Sequence, residues 1–171
     1  MNQQKPISHF IAGLIIAAII IVYSIAINFM GITSPGAGWV NYIIIVIGAI
    51  IFVPLYGKAM NNQVTFGALF SYGFKATAII TLISILFLLI FNFAFPEFKE
   101  KILEAARNQM IEDGKSNSEI EEGINMFRKL FWVGVIGATL LFSLVSGAIG
   151  SLIGAAIAKK DKINPVDQLS I

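Results

Sequence analysis

The side chains that could do chemistry at a membrane surface are few in this sequence, and they lie far apart along it. His9 is the only histidine, so it has no second imidazole with which to share a metal ion. An enzyme acting on lipid would need a convergent polar cluster, which only His9, Lys58, Tyr72, Lys75 and the C-terminal tail could supply. The simpler interpretation makes His9 an interfacial polar residue and Lys75 a lysine that reaches the headgroups along its methylene stem.

A cluster of carboxylates in the second half of the chain raises the question of a calcium site. The EF-hand pattern needs oxygen ligands at alternating positions and a glycine at the sixth, and residues 113–119 do not supply that order. Carboxylates in the first turn of a helix are also expected from the helix dipole alone. We therefore predict no metal site and no cofactor. The carboxylates concerned are Glu112, Asp113, Glu119, Glu121 and Glu122.

The rest of the sequence does not indicate catalysis. It contains no cysteine, and it has neither a P-loop nor a dinucleotide-binding glycine motif. The sequence has four long apolar stretches, and they contain no Asp, Glu, Arg or His. Their only lysine is Lys75, at the entrance of the third stretch. Ion-coupled pumps use such groups as relays, and intramembrane metalloproteases need them as ligands. We predict a protein without enzymatic activity.

The distribution of charge divides the chain into four spans and a charged segment. Charged residues make up only 13% of the 171 residues, whereas soluble domains carry about 25%. The charges collect between apolar stretches of the length, about 20 residues, that a membrane helix needs. The net charge of +2 is small and dispersed, which argues against nucleic-acid binding. The predicted spans are approximately residues 10–30, 40–56, 69–95 and 130–158.

Turn and capping signals separate the first three spans. Residues 31–38 (GITSPGAG) predict a turn, and Thr65 is the predicted N-cap of a helix that continues into the third span.

The first span could also be a signal peptide. Its apolar run is longer than the 7–15 residues or so of a signal h-region, so we predict that it is retained.

Residues 96–129 predict an amphipathic helical hairpin outside the membrane. Residues 97–129 contain six basic and eight acidic residues. Asp113-Gly114 should end the first helix, and Ser118 with Glu121 matches a capping box that should start the second. We expect this second helix to run unbroken into the fourth span. The predicted fold is an all-α, integral membrane four-helix bundle, with the whole chain forming one membrane domain.

Small residues recur every four positions in the fourth span. Residues four apart stack on one face of a helix, so two such rows make a strip against which another backbone can close. The strip could pack within the chain, which we favour, or against a copy of the chain in an oligomer. Its serines have no base at their depth and are not candidate nucleophiles. The rows are Ser143, Gly147, Ser151, Ala155 and Ser146, Gly150, Gly154, Ala158.

The lysines near the span ends predict the orientation. With four spans, both termini and the second loop lie on one side, and the first span has Lys5 before it and no charge in the loop after it. Comparisons close to the spans favour cytoplasmic termini, because positive residues remain inside. The charged hairpin would then be extracytoplasmic. The lysines assigned to the interface and topology are Lys5, Lys58, Lys75, Lys159, Lys160 and Lys162.

Two segments and the C-terminal region resemble a known family. Residues 65–74 (TFGALFSYGF), residues 113–122 (DGKSNSEIEE), and the small-residue strip followed by a lysine-rich tail are similar to a bacterial four-span family, domain of unknown function 4199. The resemblance implies a protein of the bacterial inner membrane with cytoplasmic ends and a helical extension outside. It implies no activity.

The leading functional hypothesis is a non-enzymatic structural, interaction or accessory subunit. Its charged hairpin would meet a partner or the lipid surface. The alternative is an uncoupled small pore or carrier, formed by oligomerisation through the strip of the fourth span. The partners expected are membrane lipids and either further copies of the chain or another membrane protein.

Overall fold

The structure, a computed structural model, describes residues 5–32 and 35–159 and is all-helical over them. This confirms the predicted fold class. Four of the helices are long and apolar enough to cross a membrane. The five helices are α1 (His9–Phe29), α2 (Pro35–Ala59), α3 (Phe66–Ala94), α4 (Glu97–Glu112) and α5 (Asn117–Ile157).

The first loop is shorter than predicted. α2 begins at Pro35 and not at residue 40, so residues 35–38 are helical. Proline suits the first turn of a helix because its fixed φ is already helical and its missing N–H would have no partner there. The remaining loop residues include Gly31, whose φ of +67° favours glycine. Pro54 lies within α2 without ending it.

The entrance to α3 is as predicted. Thr65 caps the helix, since its Oγ1 accepts a hydrogen bond of 3.2 Å from the Ala68 N–H. α3 starts at Phe66, three residues before the predicted span. The helix that Thr65 caps therefore continues into the third span, as predicted.

The second helix of the hairpin starts two residues earlier than predicted. Ser116, not Ser118, forms the capping box: the Ser116 N–H donates to the Glu119 carboxylate at 2.9 Å, and the Glu119 N–H donates to Ser116 Oγ at 3.4 Å. α4 ends at Glu112, and Gly114 follows with a φ of +73°. α5 then runs without a break to Ile157, as expected.

The chain forms two compact units. The first, which we call the bundle unit, comprises Met1–Ser84 and Leu141–Ile171, and the second, the hairpin unit, comprises Ile85–Leu140. One core cluster of the bundle unit joins its four helices through Ala12, Val53, Leu69 and Ala155. A second cluster consists of Ile16, Ile20, Ile45 and Ile80.

The small-residue rows of α5 lie against α2 and α3 inside the bundle unit. A methyl group built on Gly150 would come within 2.8 Å of the Val46 carbonyl oxygen, and one on Gly154 within 2.9 Å of another α2 carbonyl. A methyl group on Gly147 would overlap Thr77 of α3. One row therefore meets α2 and the other meets α3. Ser143, Gly147, Gly150, Ser151, Gly154, Ala155 and Ala158 are buried, and Ser146 is half-buried.

The hairpin unit has a core of its own. Leu103 of α4 and Ile120 and Ile124 of α5 are buried against one another. This arrangement follows from the apolar spacing of the two helices, each of which has one apolar face. Ala106, Met110 and Phe127 extend the same core at its edges.

Candidate functional site

Three helix ends of the bundle unit line an open cleft of about 430 Å³ that contains several polar side chains. α1 contributes its N-terminus, α2 its last turns and α3 its first three turns. The α3 residues are spaced i, i+3, i+4 and i+7, so they lie on one helix face. The lining residues are Pro6, Ile7, Ser8, His9, Tyr56, Ala68, Ser71, Tyr72 and Lys75.

Tyr72 holds the walls of the cleft together. Its hydroxyl donates a hydrogen bond of 2.9 Å to the Ile7 carbonyl oxygen, which fixes the segment before α1 against α3. Its ring stacks on Tyr56 with centroids 4.2 Å apart, and His9 meets its edge at 6.4 Å. Ser8 caps α1 by accepting from the Ile11 N–H at 3.2 Å. The cleft is therefore preorganised by contacts between all three helices.

The structure brings together three of the residues that the sequence nominated for a polar cluster. His9, Tyr72 and Lys75 line the cleft, and Lys58 does not. Lys5, Lys58 and Lys159 are exposed. Lys160 and Lys162, the remaining lysines assigned to topology, fall outside the described residues.

Sequence reasoning missed Ser8, Ser71 and Tyr56 as members of this cluster. Ser71 could have been found, because it lies four residues before Lys75 and therefore on the same helix face. Ser8 also carries a local signal, since it precedes the first apolar run as an N-cap. Tyr56 has no such signal, because its position depends on how α2 packs against α3.

The described charged side chains of the bundle unit are all basic. Its described residues, 5–32, 35–84 and 141–159, contain no carboxylate side chain. Within the described residues, neither the Lys75 ammonium nor the Ser71 hydroxyl has a hydrogen-bond or ion-pair partner. Among the described residues of this unit, the cleft therefore offers a cation and hydrogen-bond donors without a carboxylate to pair with them.

The helices that form the cleft are long enough to cross the hydrocarbon layer of a bilayer. The part of α3 after Lys75, residues 76–94, is about 28 Å long at 1.5 Å per residue. Residues 10–29 of α1 measure about 30 Å on the same basis. A bilayer core is about 30 Å thick. A bilayer crossed by these two segments would have the cleft side chains at the depth of its headgroups.

The hairpin unit is the second candidate site, because its surface carries most of the chain's charge. Arg107 Nη1 lies 2.8 Å from Glu121 Oε1, and Arg128 Nη2 lies 3.2 Å from Glu100 Oε2. The hydrogen bond to Glu121 and its charge raise the pKa of Arg107 above its ordinary value. Over residues 5–32 and 35–159, no three His, Asp or Glu side chains are grouped so that they could hold a metal ion.

Four apolar spans and a charged helical hairpin define a polytopic, all-helical membrane protein. Residues 11–160 match the family model described as Protein of unknown function (DUF4199). The chain belongs to this family, as the sequence resemblance indicated. No curated protein and no solved structure matches it significantly.

Proposed function

We propose that this chain is a non-enzymatic accessory membrane protein that recognises a partner protein through the hairpin of residues 96–129. The observation that supports this role is the separate core of the hairpin, in which Leu103, Ile120 and Ile124 are buried. A hairpin with its own core presents its exposed charges in a fixed arrangement. Such an arrangement is what specific recognition requires, since complementary potentials select the partner and fix its register.

The charged part of α5 extends beyond the bilayer in this proposal. α5 has 41 residues, which corresponds to about 60 Å, twice the thickness of the hydrocarbon layer. We place the protein in a bacterial inner membrane with both termini in the cytoplasm and the hairpin on the opposite side. The lysines close to the span ends support this orientation.

A protein partner is favoured over the lipid surface. The hairpin carries eight acidic and six basic residues, and anionic headgroups repel a surface with excess negative charge. The alternative of an oligomeric pore has less support. Gly147, Gly150 and Gly154 lie against α2 and α3 of the same chain, which supports packing of this strip within the chain.

Photo-crosslinking tests the proposal. A photoreactive residue at Glu104 or at Glu122, both exposed on the hairpin, should capture the same protein in intact cells. The same probe at Leu86 of α3, which is 50% exposed, is the matched control and should capture lipid only. Glu122→Lys in the Glu104 probe variant should reduce the yield, because the charge complementarity is lost. Capture of lipid alone from both hairpin positions would refute the proposal.

A further inference from the structure

We propose that the cleft lined by His9, Ser71 and Lys75 binds the phosphate of an anionic lipid headgroup. The Lys75 ammonium supplies the charge, and the Ser71 hydroxyl and the His9 imidazole supply hydrogen bonds. This site is separate from the hairpin proposed above to meet a protein. The two proposals are tested by different variants, so either can fail alone.

Charge selects an anion as the ligand. The described residues of the bundle unit, 5–32, 35–84 and 141–159, contain lysines and no carboxylate, so nothing within that part of the chain neutralises Lys75. A cation at the boundary of a low-dielectric layer attracts an anion more strongly than one in bulk water. Hydrogen bonds from a charged donor to a phosphate oxygen are about twice as strong as neutral ones.

Shape and depth select a headgroup as the source of that anion. The cavity of about 430 Å³ is within the range of small-molecule sites, roughly 300–1,000 Å³. Its lining combines polar side chains with the stacked rings of Tyr56 and Tyr72. A phospholipid likewise combines a phosphate with a less polar glycerol ester. In a bilayer crossed by residues 10–29 and 76–94, that part of a lipid would lie at the level of the cleft.

The cleft is formed before any ligand binds. The hydrogen bond from Tyr72 to the Ile7 carbonyl and the cap of α1 by Ser8 hold the segment that forms one wall. A preformed site loses less conformational entropy on binding than one that must be ordered. The lipid therefore meets a cleft whose walls are already in place.

The test measures lipid binding to the purified full-length protein by native mass spectrometry and by titration in detergent. Phosphatidylglycerol should bind more tightly than phosphatidylcholine. Lys75→Gln should weaken phosphatidylglycerol binding about tenfold or more, as expected for loss of a hydrogen bond to a charged group. Lys58→Gln removes the same charge from an exposed lysine outside the cleft and should change binding little.

A second variant and a competition experiment separate the remaining outcomes. Ser71→Phe fills the cleft, keeps the Lys75 charge, and should also abolish binding. Inorganic phosphate and glycerol phosphate should displace the lipid only at far higher concentration. Equal losses in Lys58→Gln and Lys75→Gln, or unchanged binding in Ser71→Phe, would overturn the proposal. Displacement by either soluble phosphate at the affinity of the lipid would overturn the assignment to a headgroup.

Discussion

At the scale of single residues, the glycines of α5 set the distance between helices in the bundle unit. Gly150 is buried. The atoms of Val46 nearest to a methyl group built at this position are its carbonyl oxygen and its Cα, and both belong to the backbone of α2. Backbone atoms cannot rotate away as a side chain can. A methyl group at this position therefore has to push two helices apart.

Gly150→Ala should lower the free energy of unfolding by about 1–3 kcal/mol, the usual cost of adding atoms to a packed interior. Gly137→Ala is the matched control, because a methyl group there meets nothing within 4 Å. It should leave stability unchanged or raise it, since alanine favours helix more than glycine does. Thermal unfolding in detergent measures both. Equal effects of the two variants would show that close packing at Gly150 is not important.

At the scale of secondary-structure elements, the cap of α5 shows how a local signal can be ambiguous. The pattern Ser-x-x-Glu occurs twice in succession, at Ser116 with Glu119 and at Ser118 with Glu121. The end of α4 decides between them. Gly114 adopts a positive φ, and the Lys115 N–H bonds back to the Met110 carbonyl at 3.1 Å. This turn completes the end of α4, so α5 begins directly after it with Ser116 as its N-cap.

Ser116→Ala should destabilise the start of α5 by about 0.5–2 kcal/mol, the usual cost of losing an N-cap side chain. Hydrogen exchange of the amides of residues 117–120 should accelerate. Ser118→Ala is the control and should leave these rates unchanged, because the Ser118 hydroxyl is not part of the capping box. If Ser118→Ala had the larger effect, the cap would lie where the sequence alone placed it.

The difference between local signals and contacts that join distant residues explains how much of the protein could be predicted. The four apolar helices are encoded in local composition, and so their existence was evident from the sequence. The cleft was not evident from the sequence, because the contact between Tyr72 and Ile7 joins residues far apart in sequence. The polar residues His9 and Lys75 could be nominated, but only packing of α1 on α3 brings them together.

At the scale of the whole molecule, the orientation proposed from the number of spans and the lysines can be tested directly. The chain contains no cysteine, so single cysteines can be introduced without removing others. Lys58 lies in the last turn of α2, and Lys115 lies between α4 and α5. Four spans put these two positions on opposite sides of the membrane.

A maleimide that cannot cross membranes should label Lys115→Cys in intact cells. Lys58→Cys and Lys159→Cys should react only after the membrane is permeabilised. The unmodified chain should not react at all and serves as the control. Labelling of the Lys58 and Lys115 variants from the same side would contradict both the count of four crossings and the position proposed for the hairpin.

The glycines of the bundle also constrain how this sequence can change over generations. Gly13, Gly73 and Gly150 lie on α1, α3 and α5, and each leaves space that a neighbouring helix occupies. None can gain a methyl group unless the neighbour loses volume at the same time. Exchanges at these contacts should therefore occur in compensating pairs, whereas the exposed isoleucines and leucines can be replaced one by one. Related chains should diverge on the outside and covary on the inside.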